Sequence, residues 1–279
     1  MATPNVVNLD ALLPREDLDA PAVVADDLTD LKVNDLDQGL VYGWLRKPDF
    51  QRETANWAPE KVAHLIETFV RGEIIPSIIL WQSGQRVFVI DGAHRLSALI
   101  AWIKDDYGAG GISAAKFENY IPSIQRDLDR RTRSLVDKSV GSYSKYKIAA
   151  QHPGNADQEF ITRVTRVATR SLPVQWIMNA SVDQARDAFF RINEGGVRID
   201  PTEIRILKAR SSGVAIAARA ITRSGKGHNY WSKFDAPVQK KIEEYGQEIG
   251  KLLFEPPLVT PIKTIEVPLA GYGYGAHVL

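Results

Sequence analysis

The sequence predicts an α+β protein, in which a small mixed sheet with helices precedes a largely helical C-terminal half. Three observations support this fold class. Two β-branched runs, 77–81 and 86–90, flank a Ser-Gly turn and predict a hairpin. Apolar residues recur at i, i+3, i+4 and i+7 in 62–69, which is the period of one helix face. Beyond residue 125, helix-start signals follow one another, with one strand-like segment among them.

The composition is that of a globular chain with one large domain or two small ones: 279 residues, 44% hydrophobic and 25% charged. No cysteine is present, which excludes disulfides, thiolate metal sites and cysteine nucleophiles. The N-terminus lacks a basic start followed by an apolar run, and no stretch reaches the roughly 18 apolar residues of a membrane span. We therefore expect a cytoplasmic protein without a membrane partner.

The net charge of +1 is unevenly distributed along the chain. Residues 1–40 carry a charge of −7, so the remainder carries +8. We expect residues 1–40 to form an acidic, mostly irregular and solvated arm, with a short helix or strand between Leu28 and Leu36. The alternative is an arm that shields an anion site on the basic body.

The next segment, 41–125, is predicted to be the core, in the order loop, helix, hairpin, loop and helix. Pro59 suits the first turn of a helix, and Gly72 is a natural stop for it. Asp91-Gly92 ends the second hairpin strand, and another helix begins at Arg95.

Residues 126–250 are predicted to form a mainly helical region that completes the site, and 251–279, which contain four prolines, an irregular tail. Capping signals at Ser181 and at Asp200 introduce two of its helices. The other expected elements are a helix over 122–136, a segment 142–149 that is open between strand and helix, a strand over 170–178, one or two helices over 201–222, and a helix from Asp235 to about Gly250.

The motif Asp91-Gly92-Ala93-His94-Arg95 is the first candidate for chemistry. A strand that ends directly before a helix offers unpaired backbone N–H groups and a positive dipole end, which attract phosphate. Gly92 lets a ligand approach the backbone, Arg95 can bind an anion through two donors, and His94 can exchange a proton near neutral pH. Asp91 can hold His94 or Arg95, or bind a divalent metal. A plain strand-to-helix turn with a surface arginine explains the motif equally well.

Two further motifs are ambiguous by themselves. Phe50-Gln51-Arg52 contains one loop arginine, and such side chains are usually solvated. Arg191-Ile192-Asn193-Glu194-Gly195-Gly196 is most often a helix C-cap. Its glycines also leave backbone donors exposed, so a loop of this kind can wrap a ligand.

Taken in order, these blocks resemble the GmrSD-type DGQQR family, whose pattern is P-x-F/Y-Q-R, a Trp, a helix, G-x-x-I/L-P-x-I, a strand pair, D-G-Q-Q-R-L-T-A-L and later F-x-R-I/L-N-x-G-G. The resemblance covers roughly residues 41–210. The matching segments are Pro48-Asp49-Phe50-Gln51-Arg52, Trp57, Gly72 to Ile78, Asp91 to Leu99, Phe189 to Gly196, and the acidic helix start from Asp200 to Glu203.

The resemblance implies a core like that of the ParB/sulfiredoxin fold. It also implies that this core binds and hydrolyses a nucleoside triphosphate, as part of a bacterial system that restricts phage or modified DNA. It also implies a separate HNH-type nuclease chain or domain. We expect Mg²⁺ or Mn²⁺ with the triphosphate, since triphosphates usually arrive with a divalent ion. By resemblance, the catalytic residues would be Asp91, His94 and Gln51, with Asp91 as the metal ligand. The nucleotide-binding residues would be Arg52, Gly92, Arg95, Asn193, Gly195 and Gly196.

This sequence departs from the family motif at its two glutamines, which are Ala93 and His94 here. Ala93 can neither orient a water nor bond a phosphate, so nucleotide binding is better supported than hydrolysis. None of the five histidines lies in an HNH pattern. The lack of cysteine excludes a sulfiredoxin activity.

A basic stripe is the last candidate, as a path for a DNA backbone. It comprises Arg126, Arg130, Arg131, Arg133, Lys145 and Lys147, and is continued by Arg163, Arg166 and Arg170. A solvated helix face is the alternative interpretation, because Asp127, Asp129 and Asp137 alternate with the arginines.

The leading hypothesis is therefore a nucleoside-triphosphate-binding protein, with hydrolysis open, of a DNA-sensing or anti-phage restriction system. Two alternatives stay open: a non-enzymatic DNA-binding adaptor with nucleotide as its switch, and a metal-dependent ParB-like nuclease that uses Asp91 and His94.

Overall fold

A six-stranded mixed sheet forms the centre of the protein. The computed structural model describes residues 5–17, 28–194 and 200–254. In these ranges the strands are β1 (Arg15–Glu16), β2 (Asp30–Lys32), β3 (Leu45–Pro48), β4 (Ile78–Ser83), β5 (Arg86–Asp91) and β6 (Ser171–Trp176). The strand order is β1-β3-β5-β4-β6-β2.

Twelve α-helices accompany the sheet in the same described ranges, and most of them follow residue 110, so the α+β prediction with a helical C-terminal half is confirmed. They are α1 (Val33–Asp37), α2 (Leu40–Trp44), α3 (Pro59–Arg71), α4 (Ala93–Lys104), α5 (Gly111–Lys116), α6 (Ser123–Ser139), α7 (Tyr143–Gln151), α8 (Gln158–Thr169), α9 (Val182–Glu194), α10 (Pro201–Lys208), α11 (Gly213–Thr222) and α12 (Ala236–Phe254). Within the described ranges, no helix combines the length and the apolar composition that a membrane span needs.

The hairpin of β4 and β5 is the predicted one, with Leu80 opposite Val89 and Trp81 opposite Phe88. Strand β3 runs parallel to β5, and β6 runs parallel to β4. The apolar run of β5 is buried at Phe88, Val89 and Ile90, as expected of a central strand. The carboxyl end of β5 therefore leads directly into α4 at the middle of the sheet.

Helix α3 shows why two arginines of the predicted basic stripe do not face a ligand. The helix ends at Gly72, whose φ of 83° is left-handed. Arg170 donates to the carbonyl oxygen of Phe69 at 2.8 Å, and Arg166 donates to that of Arg71 at 3.2 Å. Both guanidinium groups donate to carbonyls of the last helical turn, at the negative end of the helix dipole, which is a structural role.

The N-terminal arm is packed, and the expectation of a solvated arm is wrong for residues 5–17. Val7, Leu9, Leu12 and Leu13 are fully buried in the main hydrophobic cluster. The Val7 amide donates to the carbonyl oxygen of Trp57 at 2.8 Å. Apolar side chains between the acidic ones drive this packing, since their burial outweighs the solvation of a short acidic segment. Residues 28–36 form a short strand and a helix, as predicted, and residues 18–27 lie outside the described ranges.

A buried ion network centred on Asp10 connects distant parts of the chain. Its carboxylate lies 2.5 Å from the Lys47 ammonium, 3.4 Å from Arg15 and 3.1 Å from Arg223. It also accepts from the Thr54 amide at 3.2 Å. Burial alone would raise the pKa of Asp10, but Lys47, Arg15 and Arg223 together outweigh burial and hold that pKa well below its usual range.

The predicted segments do not correspond to separate structural units. The sheet takes β1 and β2 from 1–40, β3 to β5 from 41–125, and β6 from 126–250. Strands β1 and β3 were not predicted, because they are short and polar and lack an alternating apolar pattern. Helix α12 continues to Phe254, four residues into the predicted tail, and 255–279 lie outside the described ranges.

Asp10→Ala should lower the free energy of unfolding by about 3–5 kcal/mol at neutral pH, because it leaves three buried cations without their shared carboxylate. The measurement is urea unfolding followed to its midpoint. Asp127→Ala is the control: its ion pair with Arg130 is solvent-exposed, so the loss should be about 0–1 kcal/mol.

The pH dependence has a defined sign, because the folded pKa of Asp10 is lowered. Its stabilising contribution is present above the unfolded pKa of about 3.9 and is lost as the pH falls below that value. Equal stability losses in Asp10→Ala and Asp127→Ala would contradict a central role for the network.

Candidate functional site

A cleft of about 310 Å³ opens where the loop after β3 meets the turn between β5 and α4. Helices α3 and α9 supply its remaining walls. The cleft brings together the predicted site residues that the structure describes, which are Gln51, Arg52, Asp91, Gly92, His94, Arg95 and Asn193. The predicted Gly195 and Gly196 lie outside the described residues.

The turn into α4 requires glycine. Gly92 is the N-cap residue and has a φ of 94°, in the left-handed region. A Cβ at this position would lie 2.5 Å from Ile78 Cδ1 and 3.2 Å from Arg95 Nη2. The first backbone bond of the helix runs from the Leu96 amide to the Gly92 carbonyl, so the amides of the three preceding residues have no partner within the helix. Glycine is therefore required here both by the left-handed φ and by the close packing of Ile78 and Arg95 against this turn.

The sequence left two side-chain partners open for Asp91, His94 and Arg95, and in the structure the partner is Arg95. Arg95 Nη2 donates to Asp91 Oδ2 at 2.5 Å, and Arg95 Nη1 donates to the carbonyl oxygen of Pro76 at 2.8 Å. The Arg95 side chain is only 13% exposed. Its guanidinium group is therefore fixed in direction before any ligand binds.

His94 packs against Trp57, with ring centroids 5.4 Å apart and planes 26° from parallel. Burial, and next the positive charges of Arg52, Lys47 and Lys61, lower the pKa of His94 to about 3. The ring is thus neutral at physiological pH, which does not match the expectation of a group that titrates near neutrality. Its Nε2 is buried and has no hydrogen-bond partner among the described residues.

Gln51 is buried beside the same turn. Its Nε2 donates to the Ile90 carbonyl oxygen at 3.2 Å, while its Oε1 is buried and unpaired within the described part of the chain. The loop backbone is held by Arg15, which donates to the carbonyl oxygens of Pro48 at 2.8 Å, Gln51 at 2.5 Å and Arg52 at 3.3 Å. Sequence analysis missed Arg15, because nothing in an acidic N-terminal arm indicates contact with a distant loop.

Sequence analysis also missed several lining residues as site residues. Lys61 on α3 lies 4.7 Å from the centre of the Trp57 ring, in cation–π geometry. The one sequence feature that indicates a place for Lys61 near the site is its position two residues after Pro59. The first turn of α3 follows the Gln51-Arg52 loop closely in the chain. Leu65, Phe189 and Ile192 form an apolar wall. Their helical spacing indicates burial but does not separate a core from a cleft.

The predicted basic stripe is largely neutralised within the molecule. Arg130 pairs with Asp127, Arg131 with Glu60, Arg133 with Asp105 and Asp129, and Lys147 with Asp37. Arg126 and Lys145 are exposed, and neither makes an ion pair within the ranges that the structure covers. The stripe is therefore a weaker polyanion surface than its sequence indicates.

His94 gives a testable pH dependence. Because its folded pKa of about 3 is lower than the unfolded value of about 6.5, its contribution to stability is present above pH 6.5 and is lost as the pH falls towards 3. His94→Gln should therefore show a smaller decrease in unfolding free energy between pH 6.5 and pH 4, measured by urea unfolding. His152→Gln, at an exposed position, should keep the wild-type pH dependence. If His94→Gln shows the same change of unfolding free energy with pH as the wild type, the His94 ring is not held neutral by burial.

A model of a known protein family matches much of this chain. The family model described as "GmrSD restriction endonuclease, N-terminal domain" matches residues 28–210, more than half of the chain. The match includes the loop of Gln51 and Arg52, the turn at Gly92 and helix α9. No curated protein and no solved structure gives a significant match. The chain belongs to the family of GmrSD N-terminal domains.

Proposed function

We propose that this protein is the nucleoside-triphosphate-binding component of a restriction system that acts on DNA. The observation that carries the proposal is the convergence of Arg52 and Arg95 on one cleft, at the N-terminus of α4. The family match supports the restriction role, because the family is named for a restriction endonuclease.

The charges of the cleft favour a polyanion. Arg52, Arg95 and Lys61 line it, and the carboxylate of Asp91 opposes them. A guanidinium group binds phosphate oxygens through two parallel donors, and the first amides of α4 add further donors. Phosphate contacts would thus come from both the loop after β3 and the turn after β5.

The rest of the cleft suits the uncharged part of a nucleotide. Leu65, Phe189 and Ile192 provide the apolar part of its lining. The volume of about 310 Å³ lies at the lower end of the range for small-molecule sites, and the cleft is open to solvent. An apolar wall beside a cationic turn is the arrangement that a base and its phosphates require.

A divalent ion would bind at Asp91 together with phosphate oxygens, and it would neutralise part of the charge of the triphosphate. Asp91 is half-buried at the cleft, so its carboxylate can serve as such a ligand. Ala93 is buried at the position of a family glutamine and offers no side-chain donor. Binding is therefore the primary proposal, and hydrolysis is a further step that rests on Gln51 and His94.

Arg95→Ala and Arg52→Ala should each weaken triphosphate binding by about tenfold or more, since a charge-assisted hydrogen bond contributes about 1.5–3 kcal/mol. Each nucleoside triphosphate would be titrated calorimetrically with Mg²⁺ into the wild type and both variants. Arg130→Ala is the matched control, because Arg130 is exposed on α6 and pairs with Asp127. Wild-type affinity in both cleft variants contradicts the proposal.

Phosphate release with Mg²⁺ or Mn²⁺, measured with and without DNA, separates the three hypotheses. Release that is lost in Arg95→Ala supports a nucleoside triphosphatase. Triphosphate binding without release supports a DNA-binding adaptor that nucleotide switches. DNA nicking in the absence of nucleotide supports the nuclease alternative.

DNA binding through the basic stripe should be only moderately sensitive to salt. With four of the six cations paired internally, Arg126 and Lys145 would neutralise about two phosphates, which gives a slope of log K against log salt of about −2. Six free cations would give about −5. Fluorescence anisotropy on a DNA duplex measures the slope, and the Arg126→Ala/Lys145→Ala double variant should bring it near zero. Salt-independent binding contradicts this surface.

A further inference from the structure

Two buried polar atoms in the cleft lack hydrogen-bond partners within the described residues. They are Gln51 Oε1 and His94 Nε2, and both residues line the cleft beside Arg52 and Arg95. An unpaired buried polar atom costs about 1–3 kcal/mol. Eight side-chain atoms of the described residues are buried and unpaired, and only these two belong to residues that line the cleft. Because both residues line the same cleft, a ligand in the cleft is a partner that the two atoms can share.

The orientation of Gln51 is fixed by its surroundings. Its Nε2 faces the Ile90 carbonyl oxygen at 3.2 Å, and a carbonyl oxygen can only accept. The amide nitrogen must therefore lie on that side, so Oε1 presents an acceptor on the other side. Arg15 holds the Gln51 carbonyl at 2.5 Å, which restrains the backbone beneath the side chain. The cleft thus contains a preset acceptor.

His94 presents the complementary atom. Its ring is fixed by stacking on Trp57, and Arg52 and Lys61 place positive charge beside it. These charges and burial keep the ring neutral, in agreement with its pKa of about 3. A neutral imidazole has one N–H donor and one acceptor nitrogen, so Nε2 can donate to a ligand oxygen.

An ionised phosphate oxygen does not suit both atoms, because it only accepts and Gln51 Oε1 also only accepts. A hydroxyl group suits both, since its hydrogen can be donated to Gln51 Oε1 while its oxygen accepts from His94 Nε2–H. We infer that Gln51 and His94 form a hydroxyl subsite beside the phosphates, filled by a ribose hydroxyl or by the attacking water. This inference rests on the proposed triphosphate site.

If the hydroxyl belongs to water, the chemistry of the subsite is hydrolysis of the terminal phosphate. The water oxygen bonds to phosphorus as the bridging P–O bond breaks, and the electron pair of that bond leaves with the nucleoside diphosphate. One water proton stays on the inorganic phosphate and the other passes to solvent. If the hydroxyl belongs to ribose, the subsite selects ribonucleotides and acts in binding alone.

The test compares the affinities of one variant for different ligands. A partial loss of folded protein affects all of these affinities alike, so it cancels in their ratio. Affinities for a ribonucleoside triphosphate, its 2′-deoxy and 3′-deoxy forms and inorganic tripolyphosphate would be measured in the wild type, Gln51→Met and His94→Phe. With a ribose hydroxyl, one deoxy form binds the wild type about tenfold more weakly, which corresponds to about one hydrogen bond. Both variants lose this discrimination, and their affinity for tripolyphosphate falls by less than about twofold.

With water in the subsite, the ribo and deoxy forms bind equally, and both variants lower kcat for phosphate release by about tenfold or more at unchanged Kd. Gln82→Met is the matched control, because Gln82 also has a buried, unpaired Oε1 but lies on β4 outside the cleft lining. It should leave every ratio at the wild-type value.

The inference is overturned if Gln51→Met and His94→Phe change neither deoxy discrimination nor turnover. It is also overturned if tripolyphosphate loses as much affinity as the nucleotide, since the two side chains would then contact phosphate. Equal wild-type affinities for all nucleotide forms without any phosphate release overturn it as well. Failure of the proposed triphosphate site looks different: no polyphosphate binds, or binding is the same in Arg95→Ala.

Discussion

The carboxylate of Asp10, buried among Lys47, Arg15 and Arg223, is the constraint on which the rest of the structure depends. These cations come from β3, the N-terminal arm and the residue after α11, and none of them has bulk water as an alternative partner. Since a buried ion pair stabilises only when its geometry is complete, the three parts of the chain must fold together. The network therefore couples the folding of the N-terminal arm, β3 and the end of α11, which local sequence preferences do not link.

The cleft receives its rigidity from that network. Arg15, held by Asp10, donates to the carbonyl oxygens of Pro48, Gln51 and Arg52, in the loop that carries the last two residues. Because the loop is fixed in this way, a ligand in the cleft would not have to order it on binding. Arg15 and Arg223 lie outside the family-matched range 28–210, so parts of the chain beyond that range support the site within it.

Local features were predictable from the sequence, and long-range partners were not. The hairpin, helix α3 and the cap at Asp200 follow from patterns within a few residues, and the structure confirms each of them. That the Arg52 loop meets the β5–α4 turn could be predicted only from the family resemblance. The two segments are separated in sequence by helix α3, and residue spacing does not predict contacts over that distance. The pairing of the stripe arginines depends on carboxylates far away in sequence, such as Glu60 beneath Arg131, and periodicity carries no information about them.

The ion pair between Asp91 and Arg95 links the binding of a cation to the binding of an anion in the cleft. A cation bound by the Asp91 carboxylate would free a donor of Arg95, and an anion bound by the Arg95 guanidinium would free the carboxylate. By thermodynamic reciprocity, each of two such ligands raises the affinity of the other by the same factor. On the proposed function, a metal–triphosphate complex would therefore bind more tightly than the metal or the triphosphate alone.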